Sequence, residues 1–379
     1  MTPRRSNAFD PEEILAGILD WVGRESPTFD AGAVNAMMDV AAATMRGLGA
    51  AIERVAGVDG YGDVVLARVP GRRAGPGILV LGHLDTVHPV GTVDGALPIR
   101  RDGDRVYGPG IFDMKGGMYL AVHALRETLR QGGGPELPVT FMFVPDEEVG
   151  SPSTRALIEA EARAHRHVLV PEPGRPGNTV VTGRHAFLRF TVTTHGRPAH
   201  AGSTNRDGRS AIRAMAGLIE AIERRSDFAR GVTYSVGVVS GGRWVNVIPI
   251  ECSAQVLAVA PTPGAFDEVV AFMTGLAGDR DGVRVEVARG PVRPLFAPHP
   301  GTMALYERAR EISRGVGVDL AHGQFGGGSD GNFTGALGIP TLDGLGVLGG
   351  GAHTHEEHLL VSSLEPRARL MAGLLETLT

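Results

Sequence analysis

The sequence predicts an α/β protein with a central open sheet and a smaller α+β domain inserted into the larger one. Three apolar runs end directly in acidic or imidazole side chains, which is typical of an α/β sheet that binds its ligand beyond its strands' carboxyl ends. A βαβ-type series of segments between Phe187 and Ala288 predicts the smaller domain. The 379 residues exceed the size at which one core stops growing, so two domains are expected.

The composition is that of an ordinary globular protein, with 42% hydrophobic residues, 21% charged residues and a net charge of -5. No basic excess indicates a nucleic-acid partner, and no apolar stretch approaches the roughly 20 residues of a membrane span. The N-terminus lacks an apolar run after its arginines, so we expect a cytoplasmic protein. A single cysteine, Cys252, excludes an internal disulfide and leaves any metal site to His, Asp and Glu.

The first elements are two helices, which the apolar spacing predicts over residues 10–24 and 33–50. A β segment over 63–69 precedes the apolar strand Ile78–Leu81, which leads into GHLDTV. Alternate side chains of a strand share a face, so His83 and Asp85 should point the same way. This pair predicts a metal site at the edge of the sheet.

Residues 88–113 are rich in turn formers and precede a helix with an apolar stripe at Met118, Leu125 and Leu129. Asp113 stands just ahead of this helix. The position suits a helix cap as well as a chemical role, and the residue alone leaves both interpretations open.

Two further strands end in carboxylates. The strand Val139–Val144 runs into PDEEVG, where an extended backbone would send Glu147 and Glu148 to opposite sides, one towards metal and one towards a water. A solvated acidic loop is the alternative interpretation. The third run, His167–Val170, ends at Glu172.

The inserted domain is placed at residues 182–292, which leaves 1–181 and 293–379 as two parts of the larger domain. The final stretch contains a helix over 301–314, the loop GQFGGGSDGN, a strand around 338–342 and a terminal helix over 364–378. The glycine loop lacks the Gly-Lys-Ser/Thr ending of a phosphate-binding loop, so a nucleotide site is not expected there.

Six motifs, in this order and spacing, resemble the co-catalytic zinc metallopeptidases related to aminoacylase, acetylornithine deacetylase and succinyl-diaminopimelate desuccinylase: GHLDTV, YGPGIFDMKGG, PDEEVG, PEP, GRPAHAG and GGGAHTHEEH. The bacterial glutamate carboxypeptidase branch is most similar, because GGGSDGNF and GLGVLGGGAH also match its C-terminal loops. The resemblance implies a zinc-aminopeptidase-like catalytic domain with a central mixed sheet, plus an inserted lid and dimerisation domain.

The resemblance also implies two zinc ions, for which cobalt or manganese can substitute. Asp113 bridges the ions, His83 and Glu172 complete one site, and Glu148 and His353 complete the other. The resemblance further implies a cis peptide bond after Asp113.

The resemblance gives two nearby residues catalytic roles. Asp85 orients the His83 ring, and Glu147 is the general base for the metal-activated water.

Three histidines lie close together in GGGAHTHEEH, and their spacing alone allows any of them to bind metal. The family pattern fits Ala352-His353-Thr354 with Glu357, which leaves His355 and His358 as surface or supporting residues.

In the lid, the resemblance makes His200 the donor to the oxyanion, presented by the partner subunit of a homodimer. Asn246 matches a substrate contact, and Arg289 matches an arginine that binds a carboxylate. Val259 stands where many family members have an arginine that grips the substrate carboxylate, so specificity for glutamate does not follow. Further candidate contacts are Arg184, His185 and Arg243.

The function implied is a carboxypeptidase of glutamate-carboxypeptidase type, which cleaves the amide bond to a C-terminal amino acid of a small-molecule or peptide substrate. A dipeptidase or an N-acyl-amino-acid deacylase with the same site is the alternative. A non-catalytic zinc-binding protein on the same scaffold is the more remote one.

Overall fold

The computed structural model describes residues 9–379. The chain forms two compact units. The first contains the residues up to Gly183 together with Pro298–Gln324 and Ser329–Thr379, and the second contains Arg184–Ala297 with Phe325–Gly328. Among residues 9–379, every helix is too short or too polar to traverse a lipid bilayer.

The helices within residues 9–379 are numbered along the chain: α1 (Pro11–Val22), α2 (Ala31–Gly47), α3 (Lys115–Gly132), α4 (Arg155–Arg163), α5 (Ala211–Glu223), α6 (Pro263–Thr274), α7 (Pro300–Gly315), α8 (Gly331–Ala336) and α9 (Leu364–Thr377). The strands follow the same order: β1 (Ala51–Val55), β2 (Val64–Val69), β3 (Ile78–His83), β4 (Arg100–Asp102), β5 (Arg105–Tyr107), β6 (Val139–Val144), β7 (His167–Leu169), β8 (Thr179–Arg184), β9 (Ala186–His195), β10 (Thr233–Gly241), β11 (Glu251–Ala260), β12 (Gly278–Arg280), β13 (Val283–Arg293), β14 (Ala321–Phe325), β15 (Thr341–Leu342), β16 (Gly349–Gly350) and β17 (His358–Leu360).

The first unit is built on a central sheet in the order β1-β2-β6-β3-β7-β15. Strand β3 runs parallel to both β6 and β7, and β15 runs parallel to β7. The β1–β2 and β2–β6 pairs are antiparallel. The sheet is therefore mixed, which confirms the predicted fold class.

Both faces of this sheet are buried, because alternate side chains of a strand point to opposite faces. Val80 and Phe141 belong to the large core cluster, whereas Leu81 and Met142 belong to a smaller cluster that includes Ile158 of α4. Burial on both faces explains why β3 and β6 are almost uninterrupted apolar runs in the sequence.

Local capping determines where the first helices begin. Asp10 accepts a hydrogen bond of 2.9 Å from the Glu12 amide and is followed by Pro11, which suits the first helical position. Asp30 accepts one of 2.9 Å from the Ala33 amide, so α2 starts earlier than the predicted residue 33. Both predicted helices are confirmed, with ends that differ by a few residues.

A small sheet in the order β16-β17-β5-β4 takes its strands β4 and β5 from the segment 88–113, which is rich in turn formers. His358 of β17 lies opposite Tyr107 of β5. The loop between β16 and β17 carries His353, so this sheet ties that loop to the segment ahead of α3. A short strand pair made from distant segments leaves no local periodicity, which is why the sequence did not indicate it.

The second unit contains an antiparallel sheet in the order β10-β11-β9-β13-β12, with α5 and α6. Leu188, Phe190 and Val192 of β9 share one buried cluster with Leu218 of α5 and Val269 of α6. Each β segment predicted between 187 and 288 is present, with β13 continuing to Arg293.

Candidate metal centre

Four of the predicted ligand or base side chains emerge where strands of the central sheet end. His83 is the last residue of β3, and Glu147 and Glu148 lie in a short 3-10 turn after β6. Glu172 follows β7. Since β3, β6 and β7 are parallel, these side chains leave the sheet at the same edge.

Asp113 lies between two histidines and presents a different oxygen to each. Its Oδ1 is 3.2 Å from Nε2 of His83, and its Oδ2 is 3.4 Å from Nε2 of His353. A carboxylate held in this way has the arrangement of a bridge between two cation sites.

Each histidine also contacts a second carboxylate. Glu172 Oε1 lies 3.8 Å from Nε2 of His83, and Glu148 Oε2 lies 2.9 Å from Nε2 of His353. One ligand-type atom from each of His83, Glu147 and Glu172 falls within 4.8 Å of the others, and the same holds for His83, Asp113 and Glu148. The structure thus brings together all five predicted metal ligands and Glu147.

The protonation behaviour of the site reflects crowded carboxylates. Burial raises the pKa of Glu148 to about 7, against the hydrogen bond from His353. Hydrogen bonds to Asp113 and Glu148 raise the pKa of His353 to about 11. Burial opposes the charged form of His83, but hydrogen bonds to Asp113 and Asp85 hold its pKa well above the usual value. The cluster therefore attracts positive charge, either as protons on the imidazoles or as cations in their place.

The donor set fits divalent metal ions. Two imidazoles and three carboxylates are the ligand types that zinc takes from a protein lacking cysteine at the site. Among the described residues, Glu148 Oε1 is a buried oxygen without a hydrogen-bond partner, which is costly unless a cation contacts it. The residues present therefore fit the two ions that the resemblance implies.

Asp85 is fully buried and contacts two of the segments that supply ligands. Its backbone oxygen lies 2.9 Å from Nδ1 of His83, and its Oδ1 lies 3.4 Å from the same nitrogen. Its carboxylate also accepts hydrogen bonds of 3.3 Å from the amides of Glu147 and Glu148 and one of 2.8 Å from the Thr28 hydroxyl. Asp85 is thus placed to orient the His83 ring and the turn of the two glutamates together.

The backbone around Glu147 and Glu148 differs from the extended conformation on which their divergence was predicted. The segment is a 3-10 turn. Asp146 stabilises it by accepting hydrogen bonds of 2.8 Å from the Ser153 amide and 2.5 Å from the Thr154 hydroxyl. The two glutamates still reach different groups of ligand atoms, since side chains on consecutive residues of a turn also point in different directions.

The segment ahead of α3 confirms one expectation and answers an open question. The Asp113–Met114 peptide bond is cis. Met114 is the residue that precedes the helix, and no side chain caps it, so Asp113 is not a helix cap.

Lys115 is buried, and its Nζ donates a hydrogen bond of 2.5 Å to the Arg24 carbonyl; burial lowers the pKa of this amine to about 7.

Sequence reasoning gave no role to Glu357 beyond fixing the register of His353. Its buried carboxylate accepts hydrogen bonds from three backbone amides near Asp113 and contacts His88. A glutamate at a fixed distance after a ligand histidine was the only available signal. Its partners are more than two hundred residues away in the chain.

The predicted lid residues His200 and Asn246 lie in adjacent loops of the second unit. The Ala201 amide donates a hydrogen bond of 2.9 Å to the Asn246 carbonyl. Nδ1 of His200 accepts hydrogen bonds from the amides of Gly202 and Ser203, at 3.1 and 3.2 Å. In a neutral ring the proton therefore resides on Nε2, which is left as a donor.

Arg289 and Val259 occupy opposite faces of the second unit's sheet. Arg289 pairs with Phe190 on the face covered by the helices, where its guanidinium lies 5.3 Å from the Phe266 ring centre. Val259 pairs with Phe187 on the other face. An irregularity between Arg289 and Val292 changes the register of β13.

The remaining candidates have local partners or are exposed. Arg184 is buried and donates a hydrogen bond of 2.9 Å to the Gly327 carbonyl. His358 Nδ1 lies 2.7 Å from the Glu356 carbonyl, and its ring is 5.2 Å from that of Tyr107. His355 is exposed.

The chain is similar to known peptidases in sequence. A model of peptidase family M20/M25/M40 matches residues 79–377. Carboxypeptidase G2 of Pseudomonas sp. (strain RS-16) is 29% identical over 362 residues, which cover 93% of this chain and 86% of that protein. A probable carboxypeptidase of Arthroderma otae is 28% identical over 247 residues, covering 59% of this chain and 53% of that protein.

Solved structures share the fold. A tripeptidase from Staphylococcus aureus superposes with a TM-score of 0.79 at 20% identity, over 98% of this chain and 99% of that one. An M20 family metallo-carboxypeptidase from Sulfolobus solfataricus gives a TM-score of 0.70 at 16% identity, over 96% and 98% of the two chains.

Proposed function

The chain belongs to peptidase family M20/M25/M40, and from this premise we propose that it is a dizinc carboxypeptidase. It is a metal-dependent hydrolase of amide bonds, and the proposal concerns the metal, the mechanism and the substrate. The bond cleaved is the amide that joins an acyl, peptidyl or aryl group to a C-terminal amino acid. The name of the relative carboxypeptidase G2 supports this substrate class.

The observation that carries the proposal is the position of Asp113 between His83 and His353. In this assignment Asp113 would hold both ions, His83 and Glu172 would hold one, and Glu148 and His353 would hold the other. When bound, the zinc ions would lower the pKa of water and polarise the scissile carbonyl.

Glu147 is the proposed general base. Its side chain is largely buried and lies in the same group of ligand-type atoms as His83 and Glu172, on the residue next to Glu148. The carboxylate takes the proton of the attacking water and delivers it to the leaving amine, a transfer that contributes typically 10²–10⁴-fold in rate. The Asp85 carboxylate holds the turn in place by accepting a hydrogen bond from the Glu147 amide.

His200 is the proposed donor to the oxyanion, presented by the partner subunit of a homodimer. Its Nε2 is the protonated nitrogen when Nδ1 accepts two amides, which suits a hydrogen-bond donor. Mixing an inactive Glu147→Gln protein with an inactive His200→Ala protein should restore activity through hybrid dimers. Subunit exchange without recovery would argue against a donor from the partner.

The proposed dimer forms through the second unit. Its edge strand β10 pairs with β11 and exposes Val238 and Val239, and Trp244 and Val245 lie exposed in the following loop. An unpaired strand edge with apolar side chains is a template for pairing with a second chain. A symmetric dimer uses the same patch on both subunits.

A free carboxylate on the substrate is proposed, whereas a preference for glutamate is not. Val259 replaces an arginine of the family pattern, which favours a less polar product side. Rates on N-acyl amino acids, dipeptides and peptides with varied C-terminal residues distinguish the carboxypeptidase from a dipeptidase or a deacylase.

The direct test of the mechanism is Glu147→Gln, assayed on that panel with the zinc content of each sample measured. The amide keeps the size of the side chain but cannot accept the proton. We expect two zinc ions per chain and a loss of kcat of at least about a hundredfold. Full turnover by a variant that retains its zinc would refute the assignment of Glu147, and two bound zinc ions with no wild-type turnover on any substrate would favour a binding protein.

A further inference from the structure

Glu357 is almost fully buried, and both of its carboxylate oxygens accept hydrogen bonds. Oε1 accepts from the Phe112 amide at 2.9 Å and the Asp113 amide at 3.0 Å. Oε2 accepts from the Gly110 amide at 3.1 Å and lies 2.7 Å from Nε2 of His88. Charged acceptors make strong hydrogen bonds, so this set is a firm connection inside the first unit.

The contacts of Glu357 join three segments that carry proposed ligands. His88 follows the segment of His83, and the three amides belong to the loop that ends at Asp113. Glu357 itself closes the loop that begins after β16 and carries His353. The Gly108 amide adds a backbone bond of 3.3 Å to the Glu357 carbonyl.

His353 lies in a loop that is held by this connection and by hydrogen bonds of its own, such as the 2.7 Å bond from the Thr354 hydroxyl to the Gly351 carbonyl. His353 is half exposed and has a left-handed backbone with φ of 63°, a conformation that is uncommon for residues other than glycine. Its ring contacts Asp113 and Glu148. An anchor at Glu357 therefore limits how far His353 and Asp113 can move apart.

We propose that Glu357 is a positioning residue that fixes Asp113 and His353 at the spacing needed to hold a metal ion between them. The inference rests on the proposed function, since it concerns the same site. Glu357 does not touch the metal or the substrate. It acts through the Asp113 amide and through the loop of His353.

The variant Glu357→Gln tests this with little change in size. A glutamine has one acceptor oxygen and one NH2 donor, so its nitrogen must face either the Phe112 and Asp113 amides or the Gly110 amide and His88. A backbone amide that faces the nitrogen loses its acceptor, whereas Nε2 of a neutral His88 can accept from the NH2 group, so one or two of the four contacts are lost. Loss of a residue that orients metal ligands typically costs 10–100-fold in metal affinity.

The experiment is a calorimetric titration of zinc into the full-length protein after chelation, for wild type, Glu357→Gln and Glu357→Asp. We expect two ions in the wild type, an affinity of one site lowered at least about tenfold in Glu357→Gln, and partial recovery in Glu357→Asp, which keeps the charge. The matched control is Glu356→Gln at the neighbouring residue. Glu356 is exposed, and its ion pair with Arg100 at 3.9 Å is a weak surface contact. The zinc titration of this variant should equal that of the wild type.

Thermal unfolding of the metal-free proteins separates positioning from bulk stability. A purely structural role would lower the melting temperature of Glu357→Gln and leave both zinc affinities within twofold of wild type, which overturns the proposal. If Glu357→Gln does not fold, His88→Asn removes one contact of the same carboxylate and decides the question: lowered zinc affinity supports the proposal and wild-type affinity refutes it. A wild type that binds zinc but hydrolyses nothing refutes the proposed function and leaves this inference standing.

Discussion

His353 and Glu148, which come from distant parts of the chain, lie 2.9 Å apart between Nε2 and Oε2. Burial of Glu148 raises its pKa to about 7. In the absence of a cation, the contact therefore needs a proton between the two side chains. A metal ion would occupy the place of that proton and satisfy both side chains. This relationship leads to the first prediction.

Zinc should stabilise the folded protein, because it binds a site that exists only in the folded chain. At a hundredfold excess of free zinc over its Kd, the expected gain in unfolding free energy is about 2.7 kcal/mol per site. The measurement is thermal unfolding of chelated protein with and without zinc. Magnesium at equal ionic strength is the control, and a zinc effect no larger than that of magnesium would contradict the prediction.

Asp85→Asn should lower kcat/KM by about 10–100-fold, since Oδ1 accepts the Glu147 amide and Oδ2 accepts the Glu148 amide, and one of these two oxygens becomes an NH2 group that cannot accept. Steady-state kinetics and zinc content are measured together. Thr28→Val, which removes only the hydroxyl on the same carboxylate, should have a smaller effect. Wild-type kinetics in Asp85→Asn would exclude this role for Asp85.

Gly117→Ala should destabilise the protein by about 1–3 kcal/mol, because a Cβ there would lie 1.9 Å from the Pro171 carbonyl oxygen. The clash is with backbone, so the segment that precedes Glu172 must move. Gly47→Ala in α2 is the matched control: nothing lies within 4 Å of the added Cβ, and a gain of about 0.4–1 kcal/mol is expected. Chemical denaturation measures both, and equal effects would refute the close approach.

Arg68→Met should remove a contribution to the free energy of unfolding that depends on pH. The hydrogen bonds of Arg68 to Glu161 hold the pKa of Glu161 below its usual value. The pair therefore contributes above the unfolded pKa of about 4.3, and its contribution disappears as the pH falls through the folded pKa. Arg68 is partly exposed, so we expect a difference of at most about 1 kcal/mol at pH 7 that declines as the pH falls below about 4.

Urea unfolding at several pH values checks this, with Arg24→Met as control, because Arg24 and its partner Asp20 are both more than half exposed and 3.9 Å apart. A difference between wild type and Arg68→Met that is constant with pH would mean that the ion pair does not carry the effect.

Val239→Lys should convert a homodimer into monomers, because a charge on the exposed edge strand β10 opposes pairing with a second chain. Light scattering after size-exclusion chromatography gives the mass directly. Val58→Lys, at an exposed valine of the first unit, is the matched control and should leave the mass unchanged. A monomeric wild type, or a dimeric Val239→Lys, would rule out this interface.

The sequence by itself determined the elements whose signals are local. The apolar runs of β3 and β6, the apolar spacing of α1 and α2 and the alternation in β9 are all patterns within a short stretch of the sequence. The motif resemblance added the set of ligand residues, although not their distances. The helices and strands follow from the periodicity of apolar residues, which is visible directly in the sequence.

Only the tertiary structure decided the contacts between distant segments. It gave the 3-10 turn at Glu147, the pairing of β5 with β17, and the face of β13 that Arg289 occupies. It also showed Glu357 holding the backbone ahead of α3. Hydrogen bonds between segments far apart in the chain leave no periodic trace, because their partners are chosen by the packing of the whole unit.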